Sequence, residues 1–138
     1  MSAEQIFSIA NLMSVLCWCL LALFPNRRWV TDGIAGRAAP AFFAVAYIAI
    51  VIVVFPRANG GFSTLGGVTQ LFANPWLLLA GWLHYLAFDL LIGTWEAQDS
   101  VRRGVPRWLL VPCLFLTLMF GPAGWLVYTV ARAGYSRR

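Results

Sequence analysis

The sequence predicts an all-α fold, an integral membrane bundle of four transmembrane helices, on three observations. Of 138 residues, 61% are hydrophobic and only 11% are charged, against about 25% charged in soluble domains. A chain this short has too little interior to bury that much apolar surface away from water. The apolar residues also gather in four runs near the ~20 residues that cross a bilayer. An ordinary soluble enzyme, a disordered tail and a disulfide scaffold are thereby excluded. Ten arginines and no lysine stand against five acids. In a membrane protein that excess marks helix ends, so the expected partner is the lipid bilayer and not a nucleic acid.

The first helix, about residues 6–24, runs from Ile6 to Phe24 and stops at Pro25-Asn26-Arg27-Arg28. Its leading end carries Glu4, no basic side chain and no small-residue cleavage site after the apolar core, so it reads as a retained span rather than a signal peptide. Cys17 and Cys19 are two residues apart, about 200° around a helix, and cannot share a metal. With Cys113 they read as small apolar fillers. The second helix, about 38–55, lies between Arg37 and Pro56-Arg57. The following stretch, NGGFSTLGGVTQLFANP, is apolar but holds four glycines, which suits either an interfacial or re-entrant segment or a flexible loop. The third helix covers about 75–95 and the fourth about 106–131. Pro40, Pro75 and Pro106 open their segments, where a missing N–H is tolerated. The fourth is too long for one straight span and contains Pro112, Gly121-Pro122 and Gly124. A kink near Gly121 is expected, and the carbonyl it frees must find a partner inside the protein or an enclosed water. No repeat interrupts the chain, which reads as one domain, 1–138. Four spans put both termini on one side. Arg27, Arg28, Arg37, Arg102, Arg103 and Arg107 then face Arg57, Arg132, Arg137 and Arg138, a small excess that favours termini outside.

Charge within a span is costly and calls for a reason. The third helix, PWLLLAGWLHYLAFDLLIGTWEAQDS, holds His84 near its midpoint, Asp89 five residues on, and Glu96 and Asp99 at its far end. At 100° per residue Trp82, Tyr85, Asp89, Glu96 and Asp99 share one stripe, whereas His84 lies about 140° away from Asp89. Asp89 is either an ion-pair partner of Arg102 or Arg103, a protonated acid bonded to a carbonyl, or an acid kept neutral in a dry pocket and able to donate a proton. His84 is either a packing donor or an acid–base group. Glu96 and Asp99 read as a solvated helix end pairing with Arg102 and Arg103, with a catalytic role for Glu96 as the alternative. On the first helix Asn11, Ser14 and Trp18 share a face that either glues helices or lines a cavity. One histidine excludes a two-imidazole site, the angular scatter of His84, Asp89 and Glu96 disfavours a metal, and no Gly-rich phosphate loop follows a strand. No metal or cofactor is expected.

The run GWLHYLAFDLLIGTWEAQDSVRRGVP, then LLVPCLFLTLMFGPAGWLVY, and the opening NLMSVLCWCLLALFP resemble the plant abscisic-acid-deficient-four (neoxanthin synthase) family and its bacterial relatives. The resemblance covers essentially the whole chain and is strongest from Gly81 to Tyr128. It implies a four-helix membrane protein of carotenoid metabolism, an isomerase that opens an epoxide to an allene or interconverts cis and trans polyenes without redox change. The matching positions it points to are His84, Tyr85, Asp89, Glu96 and Asp99. On this view a carotenoid or other long isoprenoid enters sideways from lipid and lies against Trp18, Trp82, Phe88 and Trp125, beside Asn11 and Ser14, while Trp95 and Trp108 anchor the interface. With no Ser-rich plastid leader, a bacterial inner membrane is the expected location, and a homodimer is a plausible assembly. The competing function is a non-catalytic pigment-binding, assembly or small transport subunit. A third option is a proton-conducting or ion-handling unit built on Asp89 and Glu96.

Overall fold

The computed structural model describes residues 1–135, and every regular element among them is helical. Helix α1, Ala3–Leu23, begins at a capping box in which the Ser2 hydroxyl accepts the Gln5 N–H while the Gln5 side chain accepts the Ser2 N–H; two orphan donors are satisfied at once. A π-helical segment, Trp29–Ala38, runs without a break into α2, Ala39–Val54, so the second helix starts about two turns earlier than residue 38. The boundary placed at Arg37 stopped short of this extension, which contains Thr31, Asp32, Gly33 and Gly36. The glycine-rich stretch contains a short amphipathic helix, α3, Leu65–Phe72, capped by the Thr64 hydroxyl. Helix α4 covers Pro75–Arg103, with Asn74 as its N-cap and Gly104, at φ 70°, ending it in the left-handed conformation that glycine tolerates. The third helix thus continues past Trp95, and its central residue is Asp89, not His84.

Three helices, Ala3–Leu23, Trp29–Arg57 and Pro75–Arg103, are long and apolar enough to cross a membrane. The protein is a membrane protein built as an all-α bundle around α4. Helix α1 lies parallel to α4, as the pairs Asn11–Trp82 and Trp18–Gly93 require. Helix α2 lies antiparallel, as Asp32–Gln98 and Tyr47–His84 require.

The fourth apolar segment corrects an expectation. It does not continue through a kink. It forms α5, Arg107–Phe120, and α6, Pro122–Ala131, which reverse on Gly121. Gly121 has φ 45° and ψ −99°, a conformation that side-chain-bearing residues rarely adopt. After the reversal, the Cα of Gly124 lies so close to Thr117 that any Cβ would overlap the Thr117 backbone and hydroxyl. Residues seven apart in a continuous helix are about 10 Å apart, so the chain has folded back. Its contacts agree: α5 passes Glu96 through Thr117 and reaches Tyr85 at Leu118, and α6 returns to Asp99 through Tyr128 and Arg132. The 14 residues of α5 reach about 21 Å, half the ~43 Å length of α4. The result is a re-entrant hairpin whose two legs share one end of the bundle, and the expected four-span count gives way to three spanning helices and this hairpin.

The reversal redistributes charge. Arg27, Arg28, Arg37, Arg102, Arg103, Arg107 and Arg132 lie toward the hairpin's open end, and among the described residues only Arg57 lies toward the other. Arg137 and Arg138, counted in the sequence-based topology, fall outside the described residues.

Candidate functional site

The two faces of α4 have different neighbours. One carries Trp82, Tyr85, Asp89, Glu96 and Asp99, the stripe that helical spacing predicts, and the hairpin covers the half of it nearer Arg103. Asp99 is the structural end. Its carboxylate accepts from Arg103 Nε (3.1 Å), the Tyr128 hydroxyl (3.0 Å) and Arg132 Nη1 (2.9 Å), which ties α6 to α4. Arg132 also lies over the Trp95 ring at 4.7 Å, and Tyr128 meets that ring edge-on. Trp95 is therefore a packing partner of the hairpin as well as a candidate anchor. The pairing of Asp99 with Arg103 was legible from their i,i+4 spacing; Arg132 and Tyr128 were missed because only the reversal brings them there.

Glu96 is not a solvated helix end. It is 0% exposed, with one oxygen accepting the Thr117 hydroxyl at 2.9 Å and the other, Oε2, without a partner. Asp89 is 7% exposed, forms no ion pair among the described residues, and its Oδ2 is enclosed without a hydrogen bond. The expected pairing with Arg102 or Arg103 is absent: Arg103 is engaged by Asp99, about 15 Å further along the axis. Asp89 instead faces the hairpin tip. A Cβ on Gly121 would lie 3.0 Å from its Oδ1 and 3.2 Å from its Oδ2, so the absence of a side chain at Gly121 makes room for the carboxyl. Tyr85 has a defined task. Its hydroxyl donates to the Leu118 carbonyl at 3.0 Å, a last-turn acceptor of α5 whose i+4 residue is Pro122, which has no N–H to offer. This is the partner that the expected kink required.

Beyond the tip, toward Pro75, the stripe opens. Trp82 stacks on Tyr85 with centroids 5.2 Å apart and packs against Phe7 at 5.5 Å. Its indole N–H donates to Asn11 Oδ1 at 2.7 Å, and it borders a hollow of about 430 Å³ with Phe7 and Leu78. Asn11 thus joins α1 to α4. Ser14 is buried with its hydroxyl unpartnered, and Trp18 is buried with its ring against the Gly93 Cα, a packing position rather than a cavity wall. Trp125 projects from the first turn of α6 and is exposed.

His84 belongs to the other face. It stacks on Phe88 at 4.7 Å, meets Tyr47 edge-on at 5.6 Å, and lines an apolar groove of about 470 Å³ with Phe55, Phe62 and Phe72. It does not meet Asp89, as the 140° offset foretold. Among the described residues no three metal-ligating side chains converge.

A family model described as ABA DEFICIENT 4-like matches residues 5–128, nearly the whole chain. The chain belongs to the ABA DEFICIENT 4-like family. No curated protein and no solved structure matches it. Within this family member, the matched residues include all of the α4 stripe, Gly121 and Tyr128. The site offers one carboxyl at the centre of the most buried helix, with no counter-ion among the described residues, beside an aromatic wall open on one side. Such a group can exchange a proton with an apolar ligand that water does not reach.

Proposed function

We propose that this family member is a membrane-embedded isomerase of a carotenoid or related long isoprenoid, neoxanthin synthase-like, with Asp89 as its proton donor. The observation that carries the reading is the Asp89 carboxyl at the middle of α4, with its Oδ2 enclosed and unpartnered and set against the Gly121 break; family membership supports a carotenoid-related ligand. The polyene lies along Tyr85 and Trp82, entering from the lipid past the open half of the stripe. Asp89 protonates it, the cation delocalises over the conjugated system, a former double bond rotates, and the same carboxylate takes a proton back. The product is an isomer, with no net change in protons or electrons.

This one-acid route is favoured over epoxide opening to an allene, which needs a second group to remove a carbon-bound proton. Glu96 stands two turns away, about 10 Å along the axis, and His84 is on the opposite face. The protein acts in a bacterial inner membrane with its arginine-rich end toward the cytoplasm. Expression in a carotenoid-producing host, followed by pigment chromatography, tests the reading. A changed isomer pattern, lost by about 10²-fold or more in Asp89→Asn, supports it, as general acid catalysis contributes about 10²–10⁴-fold. An unaltered pattern with folded protein overturns it. So does full conversion by Asp89→Asn, and so does pigment that co-purifies chemically unchanged, as a binding subunit would give.

A further inference from the structure

A groove of about 470 Å³ lies on the His84 face of α4, away from Asp89. Three elements build it. Helix α2 and its last turn contribute Tyr47, Val51 and Phe55, at steps of four and so along one side. Helix α4 contributes Gly81 and His84, and the glycine-rich stretch with α3 contributes Phe62 and Phe72. Gly81 lets that stretch close over α4: a Cβ there would stand 2.9 Å from Phe72 Cε1. Phe55 and Phe62 stack with centroids 5.6 Å apart and planes 11° from parallel, which ties the end of α2 to the covering stretch. The volume falls in the range of small-molecule sites, about 300–1,000 Å³.

A lipid tail has no reason to prefer this groove, because the tails around it are as apolar as its walls. Two side chains give another occupant a reason. Tyr47 and His84 are the only polar side chains in the lining, and their rings meet edge-on with centroids 5.6 Å apart. Neither makes a hydrogen bond among the described residues. Both also stand inside the hydrocarbon. His84 is the tenth residue of α4, and Tyr47 is the eleventh from the end of the helix Trp29–Arg57. With helices of ~43 Å centred on ~30 Å of hydrocarbon, each Cα is about 7–8 Å below the same boundary. A polar group left unpaired there is costly. A neutral imidazole has one donor and one acceptor, and a phenol hydroxyl plays both roles. One ligand hydroxyl between them can therefore accept from one and donate to the other. Five of the ten lining residues carry flat rings, which suit a ring better than a flexible chain.

We propose that this groove is a second ligand site, which takes a hydroxyl-bearing ring from the lipid phase. The hydroxyl lies between Tyr47 and His84, and the ring lies against Phe55 and Phe72. The rest of the molecule leaves through the side where His84 and Phe62 are exposed. The groove alone calls for the ring and its hydroxyl; assigning them to the end ring of a carotenoid rests on the function proposed above. His84 is then a binding residue that selects oxygenated ligands, a task that needs no contact with Asp89.

The test uses the purified full chain in detergent, saturated with an equal mixture of zeaxanthin and β-carotene. The two pigments share a skeleton and differ by the hydroxyl on each end ring. Unbound pigment is removed by gel filtration, and retained pigment is measured by chromatography. A hydrogen bond formed out of water is worth about tenfold, so the wild type should retain zeaxanthin about tenfold over β-carotene. Tyr47→Phe, which keeps the ring and removes one oxygen, should bring the two pigments near parity, and so should His84→Phe. His84→Gln, which keeps a donor and an acceptor, should restore part of the preference. Equal retention by the wild type overturns the assignment. So does a preference that survives in both Phe variants, since it would put the pigment on the Trp82 side. Displacement of zeaxanthin by an equal concentration of decylubiquinone, whose ring has carbonyl and methoxy oxygens but no hydroxyl, would give the groove to a quinone and also overturns it. A preference lost in the Phe variants, with an unaltered isomer pattern, leaves this site standing and sinks only the proposed isomerase. A changed isomer pattern with no preference between the pigments does the reverse.

Discussion

Asp89 and Asp99 are the same residue type on the same helix, yet opposite effects follow from replacing them. Asp99 accepts from three donors, and the arginine side chains it holds are only 16% and 20% exposed. Asp99→Asn leaves both guanidinium groups without a counter-charge in a dry setting. Breaking one partner of a buried pair costs about 3–5 kcal/mol; the residual exposure of the arginines argues for the lower end, about 3 kcal/mol. Asp89→Asn removes no ion pair among the described residues and should change stability by less than about 1 kcal/mol. The assay is built into the chain. Cys113, on the α5 leg of the hairpin, is buried, whereas Cys19 on α1 is exposed. Thiol labelling of Cys113 in detergent reports hairpin opening, and Cys19 reports reagent activity. A loss of 3 kcal/mol from the hairpin lock raises the Cys113 labelling rate about 10²-fold where opening limits access. Asp89→Asn should leave it within a few-fold of wild type. Unchanged Cys113 labelling in Asp99→Asn, or an equal rise in both variants, would refute the division into a structural and a free acid.

Two further outcomes follow from the same geometry. Tyr85→Phe removes the side-chain donor of the Leu118 carbonyl and should cost about 0.6–1.7 kcal/mol, the range for interhelical bonds in membranes, read as a shift in thermal unfolding; no shift would mean that the carbonyl finds another donor. Gly93→Leu drives a side chain into the Trp18 ring and should separate α1 from α4, at a cost of about 1–3 kcal/mol, with Trp18→Ala in the same chain recovering part of the loss; destabilisation that Trp18→Ala fails to relieve would place the clash elsewhere.

Much of this was legible in the residues. Pro75 and the run after it mark the start of α4, and the 100° step already sorts His84 from the acid stripe. What misled was charge. Glu96 and Asp99 look like a solvated helix end because periodicity along one helix does not show what another chain segment lays over it. In the same way the boundary placed at Arg37 left Thr31 and Asp32 outside the second helix, although the π-helical segment lets them continue α2 with Asp32 bonded to Gln98. The Gly121-Pro122 pair marked a break but not its angle. Kink and reversal free the same carbonyl, and only the space at Gly124 together with Tyr128 and Arg132, four residues apart and both directed to Asp99, separates them.

The candidate site rests on the chain reversing at Gly121, because that reversal sets Asp89 against the hairpin tip and returns the C-terminal leg to the arginine-rich end. Reporter fusions at each terminus test it most directly: green fluorescent protein, which fluoresces in the cytoplasm, and alkaline phosphatase, which is active outside it. Three crossings with a re-entrant hairpin predict termini on opposite faces, a fluorescent C-terminal fusion and an N-terminus outside. Both termini reporting from the same side would mean that the fourth segment crosses the membrane and that Asp89 has other neighbours.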